Sequence, residues 1–151
     1  MNLKQLNILL ADDDTDDCLF FKDALEGLSI AVMFTALHNG EQLMQHLNNQ
    51  TNKLPDIIFL DLNMPRKNGF ECLSEIKLNQ KLKQLPVIIF STSLEQEVVS
   101  LLYKNGAQYY IRKPAAFSQL KMIIHQALML IAQEISLQPT KEKFVLTVKT
   151  V

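Results

Sequence analysis

Residues 55–70 read Pro55-Asp56-Ile57-Ile58-Phe59-Leu60-Asp61-Leu62-Asn63-Met64-Pro65-Arg66-Lys67-Asn68-Gly69-Phe70. Ile57 to Leu60 are apolar without a break, the pattern of a strand buried on both faces of its sheet. Pro65 and the Asn68-Gly69 pair stop that strand at once, so Asp61 falls where the chain leaves the sheet and turns. In open parallel α/β sheets, ligands bind in the crevice outside the carboxyl ends of the strands. Whatever else the chain delivers to that edge decides the chemistry open to Asp61.

Downstream, residues 68–79 carry Phe70, Leu73, Ile76 and Lys77 on one helical face. Pro86 then admits a second wholly apolar strand, Val87-Ile88-Ile89-Phe90, which gives out at Ser91-Thr92-Ser93. A helix runs to about Asn105 and Gly106 ends it. Residues 107–112 read as a less apolar, more exposed strand finishing at Lys113-Pro114, and residues 117–134 as a last helix. Upstream, Leu6 to Ala11 form a strand ended by Asp12, Asp13 and Asp14. The helix after it, residues 15–28, is closed by Gly27 and carries Leu19, Phe20, Ala24 and Leu28 near helical spacing. Asp14, Asp16 and Asp17 suit its cap and first turn. Residues 30–36 give another strand, and residues 39–47 a helix with Leu43, Met44 and Leu47 inward. Five β-then-α units in series demand parallel strands, right-handed crossovers and helices on both faces. The expected fold is a doubly wound, five-stranded α/β sheet of order 2-1-3-4-5, a flavodoxin-like three-layer sandwich.

Composition narrows the function classes. The chain of 151 residues is 48% apolar and 21% charged with net charge -1, so neither nucleic acid nor an anionic membrane is expected as a partner. It is long enough for one self-sufficient core. Cys18 and Cys72 are distant from each other and read as reduced packing residues. No apolar run nears the roughly 18 residues that span a bilayer. A soluble, cytoplasmic chain is the expectation. His38, His46 and His125 are scattered and read as loop or helix residues without a catalytic role.

With that order, the first and third strands lie about 4.8 Å apart, and Asp12, Asp13 and Asp61 crowd into one pocket. Like charges so close need a cation, and hard oxygen ligands suit Mg²⁺. Lys113 supplies a second positive charge, and Ser91 and Thr92 offer hydroxyls. Together these groups form a receptor for a phosphoryl group, with Asp61 placed as an in-line nucleophile on phosphorus. Taken singly, Asp61 would be a turn residue, Asp12 and Asp13 loop acids and Lys113 a solvated lysine. Their coincidence at four strand ends outweighs those readings.

The chain resembles the receiver domains of response regulators in two-component signalling over residues 5–134. The resemblance rests on Ile-Leu-Leu-Ala-Asp12-Asp13-Asp14, Phe-Leu-Asp61-Leu-Asn63-Met-Pro65 with Asn68-Gly69, Phe-Ser91-Thr-Ser, and Tyr110-Ile-Arg-Lys113-Pro114. It implies Asp61 as phospho-acceptor, Asp13 and the Asn63 backbone carbonyl as direct Mg²⁺ ligands, and Asp12 as a ligand mainly through water. Ser91 would hydrogen-bond the phosphoryl group, Lys113 would pair with its oxygen, and Tyr110 would turn inward as the aromatic switch. A cis bond before Pro114 is also implied. Serine in place of the commoner threonine at Ser91 loses the methyl that fixes the rotamer.

The implied function is that of a single-domain regulator, with residues 1–136 as receiver and 137–151 as an extension. It would take a phosphoryl group from a sensor histidine kinase or phosphotransfer protein and signal to a downstream protein, acting as an enzyme only on itself. A haloacid-dehalogenase-like phosphohydrolase is the runner-up. That family places a second aspartate where this chain has Asn63, which carries no titratable proton. A docking module independent of phosphorylation is the third reading, and its mark, a missing acid or lysine, is absent. In residues 140–151, Phe144, Leu146 and Val148 alternate with Val145, Thr147 and Lys149 as in a strand with one apolar face. A lone strand is unstable in water, so this segment is expected to pair, preferentially across a homodimer rather than on its own sheet.

Overall fold

The computed structural model describes residues 5–133 and 138–148. Its elements are β1 (Leu6–Ala11), α1 (Thr15–Glu26), β2 (Val32–Leu37), α2 (Gly40–Asn48), β3 (Ile57–Leu60), α3 (Gly69–Leu78), β4 (Val87–Ser91), α4 (Gln96–Lys104), β5 (Tyr109–Arg112), α5 (Phe117–Gln133) and β6 (Val145–Leu146). One sheet of order β2-β1-β3-β4-β5-β6 holds all six strands, and every pairing is parallel. The doubly wound, flavodoxin-like expectation is met, with one strand more than the five foreseen.

Two apolar layers flank the sheet. Phe21, Ala24, Leu25, Ile123, Ile124, Ala127 and Leu128 of α1 and α5 pack on Ile8, Leu10, Ile57, Phe59, Ile88 and Phe90. On the other face, Leu43, Met44 and Leu47 of α2, Leu73 and Ile76 of α3 and Leu102 of α4 meet Leu9, Ile58, Leu60 and Ile89. Successive strand residues thus serve opposite layers, which is why the central strands carry no polar alternation. Helices α1, α2 and α3 start at side-chain caps. Asp14 Oδ1 accepts from the N–H groups of Asp16 and Asp17 at 2.9 and 3.1 Å, and Asn68 and Glu71 form a reciprocal capping box at α3.

Helix α1 is rotated from the phase read in the sequence. Leu19 and Phe20 are exposed, at 59% and 57%, while Cys18, Phe21, Ala24 and Leu25 face the sheet. Both stripes fit helical spacing and share Ala24, so periodicity alone could not separate them. The choice falls to Phe21, whose ring sits 5.7 Å from Phe34, 4.8 Å from Phe59 and 5.4 Å from Phe90.

Strand β5 is buried rather than exposed, with Tyr110 and Ile111 fully covered. The cover comes from the C-terminal segment. After a 3-10 turn over Lys141–Lys143, Val145 and Leu146 pair with Tyr110 and Ile111 of the same chain, where pairing with a second copy was expected. The crossover through α5 returns the chain beside β5, so its own edge is the nearest unpaired one. Phe144 breaks the expected alternation. Its backbone is helical, φ -65 and ψ -46, so it packs in the α2/α3/α4 layer while Leu146 and Val148 pack in the other.

The phase of α1 yields a test. Phe21→Ala is expected to cost about 3–5 kcal/mol, whereas Phe20→Ala is expected to change stability by less than about 1 kcal/mol. Urea denaturation of both variants distinguishes the buried stripe from the exposed one.

Candidate functional site at the carboxyl edge of the sheet

Because all strands run parallel, their carboxyl ends share one rim. Ala11 and Leu60 are paired across β1 and β3, which sets the next residues, Asp12 and Asp61, side by side. Asp61 N–H donates to Ala11 O at 2.9 Å and Asp12 N–H to Leu37 O at 2.9 Å, so both backbones are held to the last ladder bonds. Ser91 is the last residue of β4, and Lys113 N–H donates to its carbonyl at 2.8 Å. Gly69 anchors the loop beyond Asp61. A Cβ there would lie 2.3 Å from Asp61 O and 2.8 Å from Leu62 Cα, so only glycine lets α3 start this close to the acidic rim. In the same loop Arg66 has φ +68 and Lys67 N–H reaches back to Pro65 O at 2.8 Å, a tight turn that is strained for a non-glycine residue.

One ammonium serves three carboxylates. Lys113 Nζ lies 2.7 Å from Asp12 Oδ2, 2.8 Å from Asp17 Oδ2 and 3.6 Å from Asp61 Oδ2, with its charge also 5.4 Å above the Phe90 ring. Burial by itself would lower the lysine pKa; the close contact with Asp12, the hydrogen bond to Asp17 and the charges of Asp12 and Asp61 outweigh it and hold the group above its ordinary range. The acids respond in the opposite sense to their crowding. Burial first, then the charge of Asp12, pushes Asp61 up to about 6, and burial raises Asp12 against the pull of Lys113. Asp12 Oδ2 is buried and accepts no well-directed hydrogen bond, although the ammonium faces it. The pocket carries more negative charge than its single cation offsets. One carboxylate oxygen from each of Asp12, Asp13 and Asp61 lies within 4.8 Å of the others. A buried pair and one exposed acid of this kind fit a divalent cation with oxygen ligands.

The residues singled out in the sequence fall as follows. Asp12 and Asp61 are buried and Asp13 is exposed on the same rim. Asn63 lies exposed in the β3–α3 loop. Ser91 is buried, and its Oγ accepts from Ser93 N–H at 3.2 Å. Tyr110 is fully buried, and its hydroxyl donates to Ser93 O at 2.5 Å and lies in hydrogen-bonding contact with the Ser91 side chain. The peptide before Pro114 is trans, contrary to the cis bond implied earlier; Lys113 reaches the acids through the length of its side chain.

Three participants were not foreseen. Asp17, read only as a first-turn acid, holds Lys113. The one signal for it was its place a single turn into a helix that starts at the rim. His38 Nδ1 lies 3.3 Å from Asp12 O, and Cys18 Sγ donates weakly to the same carbonyl at 3.5 Å. Burial and the Asp12 and Asp17 charges push the Cys18 thiol up to about 12, so it stays protonated.

Fold and rim together define a doubly wound α/β protein with a cation-ready acidic pocket at its sheet edge. Known proteins make the class specific. The response regulator receiver domain family matches residues 8–125, and the chain belongs to it. It is 29% identical over 122 residues to the probable methanogenesis regulatory protein FilR2 of Methanothrix harundinacea, covering 79% of each chain. With response regulator Rcp1 of Synechocystis it shares 34% identity over 110 residues, 70% of this chain and 75% of that one. The crystal structure of the phosphorylated cyanobacterial phytochrome response regulator RcpA matches with TM-score 0.79 at 30% identity, over 86% of this chain and 96% of that one. The Mn²⁺-bound form of Rcp1 matches with TM-score 0.77 at 28% identity, over 89% and 99%.

The shared ammonium makes stability depend on pH and on charge. Asp61 titrates near 6 in the folded chain against 3.8 for a free carboxyl, so the folded state holds a proton that the unfolded state has already lost between those values. Stability from this group is present at low pH and lost as pH rises through about 6. In Mg²⁺-free buffer Asp61→Asn is therefore expected to be about 1–3 kcal/mol more stable than wild type at pH 7, with the gain fading toward pH 4. Urea melts across that range check it, and a gain independent of pH would contradict the assignment. Lys113→Ala, which strips the buried Asp12 of its counter-charge, is expected to cost about 3 kcal/mol, partly recovered by Asp12→Asn in the same chain.

Proposed function

We propose that this receiver domain is a single-domain response regulator of two-component signalling that accepts a phosphoryl group on Asp61 from a sensor histidine kinase or phosphotransfer protein, acts in the cytoplasm, and passes its state to a downstream protein. The observation that carries the reading is the convergence on one rim of three carboxylates within 4.8 Å of one another and of Lys113, 3.6 Å from Asp61 Oδ2. Coverage of most of Rcp1 and RcpA supports a chain of one receiver.

In this reading an Asp61 oxygen attacks phosphorus. The O–P bond forms as the N–P bond to the kinase histidine breaks, and the imidazole leaves with that electron pair and takes up a proton. Asp12, Asp13, Asp61 and the Asn63 backbone carbonyl would hold Mg²⁺, which would supply charge neutralisation to the phosphoryl oxygens when bound. Lys113 is already at the rim with its ammonium fixed by Asp12 and Asp17. It needs only to exchange a carboxylate for a phosphoryl oxygen as that charge appears. Ser91 offers its hydroxyl proton to another oxygen, since its Oγ can accept from Ser93 N–H and donate at once. Movement at Ser91 would be felt by Tyr110, whose hydroxyl touches Ser91 and Ser93, and this is the ground for Tyr110 as the switch. Turnover on free phosphate esters is not expected, because Asn63 supplies no general acid.

Incubation with Mg²⁺ and acetyl phosphate, followed by intact-mass measurement, tests the reading. Wild type should gain one phosphoryl group, and Asp61→Asn and chelator-treated wild type none. Equal labelling of Asp61→Asn would remove Asp61 from the mechanism. Thermal melts add an independent check: Mg²⁺ should raise the Tm of wild type and leave that of Asp13→Ala unchanged.

A further inference from the structure

A line of contacts leads from the rim to the C-terminal segment. Ser91 Oγ accepts from Ser93 N–H at 3.2 Å, and Ser93 O accepts from the Tyr110 hydroxyl at 2.5 Å. The ring of Tyr110 packs on Phe144, with centroids 6.3 Å apart, and Phe144 packs on Tyr103 of α4, with centroids 5.1 Å apart. The backbone is engaged as well, for Tyr110 N–H donates to Phe144 O at 3.0 Å. Phe144 is fully buried and is held there from both ends. Gln138 Nε2 donates to Tyr103 O at 2.6 Å and Ala107 O at 2.7 Å, Tyr103 Oη donates to Pro139 O at 2.8 Å, and β6, which begins at the residue after Phe144, pairs with β5.

We infer that Phe144 is a positioning residue for Tyr110: the C-terminal segment holds the phenol inward, against Ser91 and Ser93, before any phosphoryl group arrives. Without that segment Tyr110 would sit on an edge strand with open space beside it, and its ring could swing to solvent. With Phe144 wedged between Tyr103 and Tyr110, the outward arrangement has lost its room. A binding event that needs Tyr110 inward then no longer carries the cost of populating a minor state, and its apparent affinity rises by that factor. The inference rests on the reading of Tyr110 as the switch.

Beryllofluoride with Mg²⁺, titrated calorimetrically into the full chain, is the probe. Phe144→Ala is expected to weaken beryllofluoride binding about five- to tenfold and to leave Mg²⁺ binding alone unchanged, because Asp12, Asp13 and Asp61 are untouched. Phe144→Leu, which keeps most of the apolar volume, secures the test if the alanine variant does not fold, and a smaller loss in the same direction is expected. Tyr110→Ala should also weaken binding, and the double variant Phe144→Ala/Tyr110→Ala no further than Tyr110→Ala alone, since Phe144 acts through the ring that is gone. If Tyr110→Ala weakens binding while Phe144→Ala and Phe144→Leu match wild type, the inference falls and the switch reading stands. Additive losses, or a parallel loss of Mg²⁺ affinity, also overturn it, because Phe144 would then act on the fold at large. If Tyr110→Ala binds as wild type does, it is the switch reading that fails, and the positioning role with it.

Discussion

The sharing of one ammonium among three carboxylates is the constraint on which the rim depends. Asp12 and Asp61 are buried side by side by the parallel register, and no rearrangement short of breaking the β1–β3 ladder would separate them. Two like charges in a partly dry site favour protonation, yet Lys113 keeps the cluster from being simply neutral. Its 2.7 and 2.8 Å contacts to Asp12 and Asp17 fix the ammonium, while Asp61 Oδ2 stands farther off at 3.6 Å and Asp61 Oδ1 accepts from Leu62 N–H at 2.8 Å. An oxygen that is buried, raised in pKa and incompletely paired is poised to gain from an added cation and an added electrophile. Removal of a partner from such a cluster costs more than the cluster itself contributes, so the arrangement is better understood as preparation for a ligand than as a source of stability.

Asp17 changes how Lys113 is to be viewed. The lysine does not hang free over the pocket, since a helix-borne acid on α1 holds one side of it. Were Asp12 and Asp61 to turn toward a metal ion, Asp17 would still offer the ammonium an anchor, which would keep its long side chain from losing order. The same rim extends by hydrogen bonds into the β4–α4 loop and by aromatic contact into the C-terminal segment. Site, loop and tail therefore form one contiguous set of contacts through Ser91, Ser93, Tyr110 and Phe144, and a bistable element in that set could be biased from either end.

Several elements could be read without the structure because their signals were local. The uninterrupted runs Ile57–Leu60 and 87–90 could only be buried strands, and Asp14 and Asn68 marked helix starts by their capping chemistry. Asp12, Asp61, Ser91 and Lys113 were placed together because each ends a strand and parallel strands end on one side. The phase of α1 was not legible. Leu19 and Phe20 made as good a stripe as Cys18 and Phe21, and what separated them was the space among Phe34, Phe59 and Phe90. Tyr110 looked like an edge-strand aromatic because its cover, Phe144, lies 34 positions away. The alternation of the tail suggested a strand with Phe144 in line, whereas a helical φ and ψ at that residue sends its ring to the opposite layer from Leu146.

The sequence by itself determined the sequence of β and α units, the parallel sheet and the identity of the acids, hydroxyl and lysine that meet at its edge. These follow from period, capping and strand termination, which act over a few residues. Tertiary structure alone decided that Asp17 joins Asp12 and Asp61 around Lys113, that α1 turns Phe21 inward, and that the tail adds a sixth strand to its own sheet with Phe144 against Tyr110. Each of these was a choice between local conformations of nearly equal merit, and packing energy between residues far apart in the chain selects among such alternatives.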